Sequence, residues 1–195
     1  MARPRTTSDD AILDAAGRAI GRSGVTRLTL AVVAEEAGLA PATLVQRFGS
    51  KRGLLLALAE RAGTAVRTPF AAARDRHDSP LAALREALTV LASDVRTPED
   101  LANSLTFLRL DLTDEEFRRH AAAHAESTRE EIAALLEAAV AAGELVAGAD
   151  ADRLARSVRI AYNGVLVVWA LTGDGPLADA LAAAVDDVLR PYAGP

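Results

Sequence analysis

Apolar positions recur at spacings of three and four residues along nearly the whole chain, the period of an amphipathic α-helix. Ile12, Leu13, Ala16, Ala19 and Ile20 give a first helix one apolar face. Ser8 opens it, Asp9 and Asp10 occupy its first turn, and Gly24 ends it. A second helix carries Val32, Val33 and Ala37 on one side and stops at Gly38, a residue that enters the left-handed conformation without a Cβ penalty. Pro41 then opens a third helix, where its missing N–H costs nothing, and Leu44 and Phe48 pack back on the second. A fourth, capped by Ser50, runs through Leu54, Leu55, Leu58 and Ala62 to about Thr68, where Pro69 blocks its continuation.

The second half continues the pattern. A polar loop over 74–78 leads to Ser79-Pro80, an N-cap followed by proline at the first helical position, and then to Leu81, Leu84, Leu88, Leu91 and Val95. Thr97-Pro98 starts a helix with Leu101, Leu105 and Leu108. Thr113 and Glu116 match a capping box for a long helix over roughly 114–142, which Gly143 stops. The helix over 151–172 is apolar all round, which predicts burial on every side. The last helix carries Leu177, Leu181, Val185, Val188 and Tyr192. Nine helices and no strand predict an all-α protein. The pattern predicts a three-helix head over 1–50 followed by a helical domain over 51–195.

Composition and charge sharpen this. Residues 1–70 hold ten Arg/Lys against six Asp/Glu, a net +4, and the remainder holds 12 against 21, a net −9. A basic end on an acidic body points to a polyanion met by the N-terminal third. The chain has no cysteine, which excludes disulfides and thiolate metal sites and suits a reducing cytoplasm. The N-terminus shows no apolar signal core, and the longest uncharged apolar run, 160–173, is too short to span a bilayer. No nucleophile elbow, phosphate loop or paired-carboxylate motif stands out, so the reading is not an enzyme and implies no cofactor.

The stretch from Leu28 to Leu55 is a helix-turn-helix, with a short second helix presented for a DNA major groove. Its residues, Ala34 and Gly38, then Ala42-Thr43-Leu44, then Phe48-Gly49-Ser50-Lys51 and Leu54, resemble the DNA-binding signature of the TetR family of bacterial repressors. The resemblance implies a homodimer that places one recognition helix in each half-site of a palindromic operator. It also implies a small effector that enters the C-terminal domain and releases the DNA, and a dimer interface built by the last two helices. Helix N-termini hold phosphates, which assigns Thr29 to the DNA backbone; Lys51, opening the fourth helix, is a second phosphate contact. Thr43, Gln46 and Arg47 lie on the outer side with Ala42; Gln46 suits adenine and Arg47 guanine, and either equally suits phosphate. Where the family commonly has tyrosine, Val45 stands, able to touch a thymine methyl but not to donate a hydrogen bond. Arg3 and Arg5 form an arm suited to a minor groove.

For the sensor half, Phe107, His120, His124, Tyr162, Asn163 and Trp169 are the candidate contacts of a hydrophobic effector. Asn163, an amide in an apolar helix, needs a partner from a ligand, the core or a second subunit. Glu116, His120 and His124 form the alternative, a divalent-metal site and with it an all-α metal-binding protein or enzyme. The stripe Leu154, Val158, Val165 and Val168, with Leu181, Val185 and Val188, serves either a monomer core or half of a dimer interface; the dimer is the reading taken. The implied location is cytoplasmic, at the nucleoid, with operator DNA as partner and no membrane.

Overall fold

The computed structural model describes residues 7–194, and its regular elements are helical apart from one isolated bridge between Leu145 and Ala193. The helices are α1 (Asp9–Arg27), α2 (Leu30–Ala37), α3 (Pro41–Phe48), α4 (Lys51–Ala65), α5 (Arg67–Arg76), α6 (Pro80–Leu91), α7 (Pro98–Thr113), α8 (Glu115–Ala141), α9 (Ala151–Thr172) and α10 (Leu177–Leu189), followed by a 3-10 turn at Arg190–Tyr192. The all-α reading holds. The tenth helix arises because the predicted helix over 50–68 stops at Ala65. Pro69 does not end a helix; it lies in the first turn of α5, where backbone N–H groups have no intrahelical partner to lose.

Several caps form as the sequence predicts. Ser8 accepts from Ala11 N, Ser79 from Ala82 N, and Gly38 takes φ 67°. The cap of α8 differs. Thr113 donates back to the Arg109 carbonyl, and Asp114 instead accepts from Glu116 N at 3.0 Å. At the end of α1, buried Gly24 (φ 74°) breaks the helical path, and a Cβ there would lie 2.8 Å from Asn103 Oδ1.

The chain divides into two compact units rather than at a single cut. One holds the residues up to Ala62 together with Ala102–Ala121; the other holds Gly63–Leu101 and the residues from Ala122 on. In the first unit Ile12, Leu13, Ala16, Leu28, Val33, Leu44, Leu54 and Phe117 form the core. Phe107 from α7 meets the Phe117 ring edge-on, with centroids 5.8 Å apart. In the second, Phe70, Leu84, Leu88, Ile132, Leu136, Leu154 and Val158 form one cluster, and Ala92, Leu177 and Leu181 a smaller one.

α9 corrects the expectation of burial on every side. Leu154, Ala155 and Val158 are buried, but Ile160, Val167, Val168 and Leu171 face outward. Among the described residues α9 is the one helix whose length and mean hydropathy of 1.2 would suit a membrane span; its inner side packs on α10.

Candidate nucleic-acid interface

The turn that links α2 to α3 fixes what α3 can offer. The Gly38 and Leu39 N–H groups return to carbonyls of α2, and Pro41 begins the next helix with its φ already set. Leu44 is wholly buried and anchors α3 to the core of the first unit. Burial of that side chain is worth about 1.5–3 kcal/mol. With Leu44 inward, Pro41, Ala42, Val45 and Gln46 are exposed on the other side, and Thr43 is half-buried. Val45 is 51% exposed, an apolar residue held in water on a helix whose core side is already satisfied. Val32, expected inward on α2, is exposed; Val33 and Ala34 face the core instead.

The cations around this surface are already engaged inside the unit. Arg47 donates from Nη1 to the Thr7 carbonyl at 2.5 Å and to Asp9 Oδ1 at 3.1 Å, so α3 holds the start of α1. Lys51 Nζ donates to the carbonyls of Val25 at 2.6 Å and Thr26 at 3.2 Å, just past the break at Gly24. An ammonium has three protons, so one remains for another acceptor. The Thr29 hydroxyl accepts the Val32 N–H and is exposed at the α2 N-terminus. Arg3 and Arg5 lie outside the described residues. Glu36 of α2 bonds Arg18 and Arg22 of α1, and those guanidiniums hold its carboxyl below the usual range.

Arg52, unmarked in the sequence reading, makes several contacts at once. Its guanidinium donates to both oxygens of Asp114 at 3.0 Å and to Glu116 at 2.8 Å, and it lies 5.6 Å from the Phe117 ring centroid. The start of α4 is thereby tied to the α7–α8 corner. No local pattern flags this pairing, because its partners lie more than sixty positions along the chain.

The expected effector contacts fall in different units. Phe107 packs in the core of the first unit, which also holds His120, whereas His124, Tyr162, Asn163 and Trp169 belong to the second. Tyr162 is half-buried between that unit's two clusters, and burial pushes its phenol up to about 12. Trp169 donates its indole N–H to the Gly175 carbonyl at 3.0 Å. Asn163 is exposed, so it meets no core group of its own chain. Two clefts, of 270 and 200 Å³, are lined by none of the six; one lies around Val146–Asp150 and Tyr192, the other around Leu81, Arg85 and Asp186.

The metal alternative is not supported. Glu116 is bonded to Arg52, and among the described residues no group of three His, Cys, Asp or Glu side chains is placed to hold an ion. The dimer stripe needs its own correction. Leu154, Val158, Leu181 and Val185 are at most 3% exposed and already fill their own chain's core, so they have no surface left for a partner. Val165 and Val188 are half-buried against the same clusters, and only Val168 is well exposed.

Comparison with known proteins joins these observations. Residues 12–58 match the model of bacterial regulatory proteins of the tetR family, and residues 106–185 match that of the tetracyclin repressor-like C-terminal domain. The HTH-type transcriptional regulator BetI of Brucella anthropi is 28% identical over 179 residues, covering 91% of this chain and 89% of the relative. The regulator of the same name from Rhizobium meliloti is 27% identical over 183 residues, covering 93% and 87%. Among solved structures, a TetR transcription regulator from Haloarcula marismortui shares the fold with a TM-score of 0.75 at 19% identity, covering 95% of this chain and 97% of that one. SmeT, the repressor of the Stenotrophomonas maltophilia efflux pump SmeDEF, superposes in its triclosan complex with a TM-score of 0.71 at 24% identity, covering 95% and 91%.

Proposed function

The chain belongs to the tetR family of bacterial regulatory proteins, transcriptional regulators and not enzymes, and on that premise we propose that it is a ligand-released repressor. It binds a palindromic operator as a homodimer through residues 1–50, and residues 51–195 carry the effector site and the dimer contacts. The observation that carries this reading is the outward face of α3: Ala42, Val45 and Gln46 are exposed on a helix whose opposite side is anchored by Leu44. Gln46 reads a base edge and Val45 a thymine methyl. Thr29 and the remaining Lys51 proton hold phosphates. Arg47 holds the start of α1, and Arg3 and Arg5 are the proposed minor-groove contacts.

Release needs no chemistry. An effector favours a conformation in which the two recognition helices no longer match half-sites about 34–36 Å apart, and linkage requires operator DNA to weaken effector binding by the same factor. The small molecule held by SmeT supports an effector of that size class here, and Tyr162, neutral at physiological pH, is the proposed hydrogen-bonding contact. A regulator of this kind works in the cytoplasm at the nucleoid. Gel-shift titration with the DNA flanking its own gene, at two salt concentrations and with random competitor, tests the proposal. Competitor-resistant binding of one dimer is expected; binding lost equally to random DNA would sink the operator reading.

A further inference from the structure

The 200 Å³ cleft in the second unit joins an apolar wall to a cationic rim. Leu145 and Leu189, at 2% and 4% exposure, form the wall with half-buried Leu81. Each is fixed by its own element. Leu81 lies in the first turn of α6, where its N–H donates to Glu144 Oε2 at 2.9 Å. Leu189 ends α10. Leu145 is held by the C-terminal segment: the Val146 N–H donates to the Tyr192 carbonyl at 2.9 Å, and the Gly194 N–H to the Glu144 carbonyl at 2.8 Å. Ala193, the bridge partner of Leu145, closes that side of the cleft. The cavity is therefore formed before any ligand arrives, as small-molecule sites usually are.

Arg85, Asp186 and Arg190 make the rim, two cations to one carboxylate. Arg85 meets Asp186 Oδ1 through Nε at 2.7 Å and Nη2 at 2.6 Å. A guanidinium has five N–H donors, so three remain on Arg85 for another acceptor. Arg190 gives one donor to Asp187, which is exposed, and keeps four. The one acidic side chain of the rim is thus already taken, while donors are left over. The surplus suits a single negative charge; a dianion would be set against Asp186. The cleft is also smaller than the roughly 300 Å³ at which drug-sized ligand sites begin, which keeps the apolar tail short. We propose that this cleft binds a straight-chain monocarboxylate of about six to eight carbons, with its carboxylate on Arg85 and Arg190 and its tail along Leu81, Leu145 and Leu189. Tyr162 does not line this cleft, so the site is separate from the effector contact above and does not rest on it.

Calorimetric titration with octanoate tests the assignment, with octan-1-ol and octylamine as probes that share the tail and change the head. Octanoate should bind once per chain, and both other compounds at least tenfold more weakly. Hexanoate should bind about fifteenfold more weakly than octanoate, at about fourfold for each buried methylene. R190Q leaves the Arg85–Asp186 pair in place, and R85Q removes it. Each should raise the octanoate dissociation constant at least tenfold while octan-1-ol binds as before, which shows that the wall is intact. Equal binding of octanoate and octan-1-ol, or an octanoate constant unchanged in both variants, would overturn the rim's role. Octanoate binding lost in Y162F but kept in R85Q and R190Q would place the acid at the effector contact and refute the second site. No binding to the wild type would remove it, with the operator reading untouched.

Discussion

At Gly53 a methyl group has nowhere to go, because a Cβ there would fall well inside contact distance of the Phe48 carbonyl oxygen. G53A should therefore destabilise the head by about 1–3 kcal/mol, the usual cost of overpacking, and thermal melting of the variant checks it. Glycines with a local duty, such as Gly38, are legible from sequence because a helix stops there and a proline follows. Gly53 is not, since it sits inside α4 at an ordinary helical conformation and its reason is a neighbouring carbonyl. Lys51 was legible only by half. Its charge and place beside the helix-turn-helix mark a phosphate contact, but its bonds to the Val25 and Thr26 carbonyls depend on how α4 meets the end of α1. K51A should lower affinity for every DNA sequence alike and flatten the log–log salt slope by about one; the same variant should also melt earlier. A loss confined to the cognate operator would contradict the phosphate role.

Helices were read well where their ends are marked and badly where tertiary partners decide. The capped starts at Ser8 and Ser79 follow from residue type alone, whereas the break between α4 and α5 carries no stop residue and Pro69 misleads about where it falls. The α7–α8 corner shows the same limit. Threonine and glutamate suggested a capping box, yet Asp114 takes the N-cap role while also receiving Arg52. The Arg52 guanidinium, with the Glu116 and Phe117 N–H groups, holds the Asp114 carboxyl below the usual carboxylate range. Its contribution to stability is therefore present above the unfolded value of about 3.9 and is lost as pH falls through the lower folded value. D114N keeps a competent N-cap but removes the ion pair; D114A removes both and should melt lower than D114N at neutral pH. In melts stepped towards acid, the gap between wild type and D114N should close below about pH 4, and a gap independent of pH would refute the ion-pair contribution.

For the molecule as a whole, the basic head and acidic body were visible in the charge count, and the tetR-type signature in residues 34–54 predicted the family that the matches over 12–58 and 106–185 bear out. The sensor was not readable. Apolar residues at helical spacing look alike whether they fill a core, line a ligand site or face a second copy, which is why the sequence assigns Leu154 and Val158 to a dimer although both are buried in their own chain's core. Nor could periodicity show that residues 102–121 complete the core beneath the helix-turn-helix. If two heads must read two half-sites, operator affinity depends on association of the chains. Diluting the protein below its dimer dissociation constant should make the gel-shift curve steeper than a single-site isotherm.

The chain contains one tryptophan, and it is the half-buried Trp169, flanked by outward Val168 on α9 and pinned through its indole N–H to the Gly175 carbonyl. Excitation at the red edge of protein absorbance therefore addresses a single fluorophore in a single environment, beside the exposed strip and within the cluster of Leu177 and Leu181. Its emission wavelength and quenching by iodide make chain association, or the arrival of a small molecule beside Tyr162, an optical titration that needs no label.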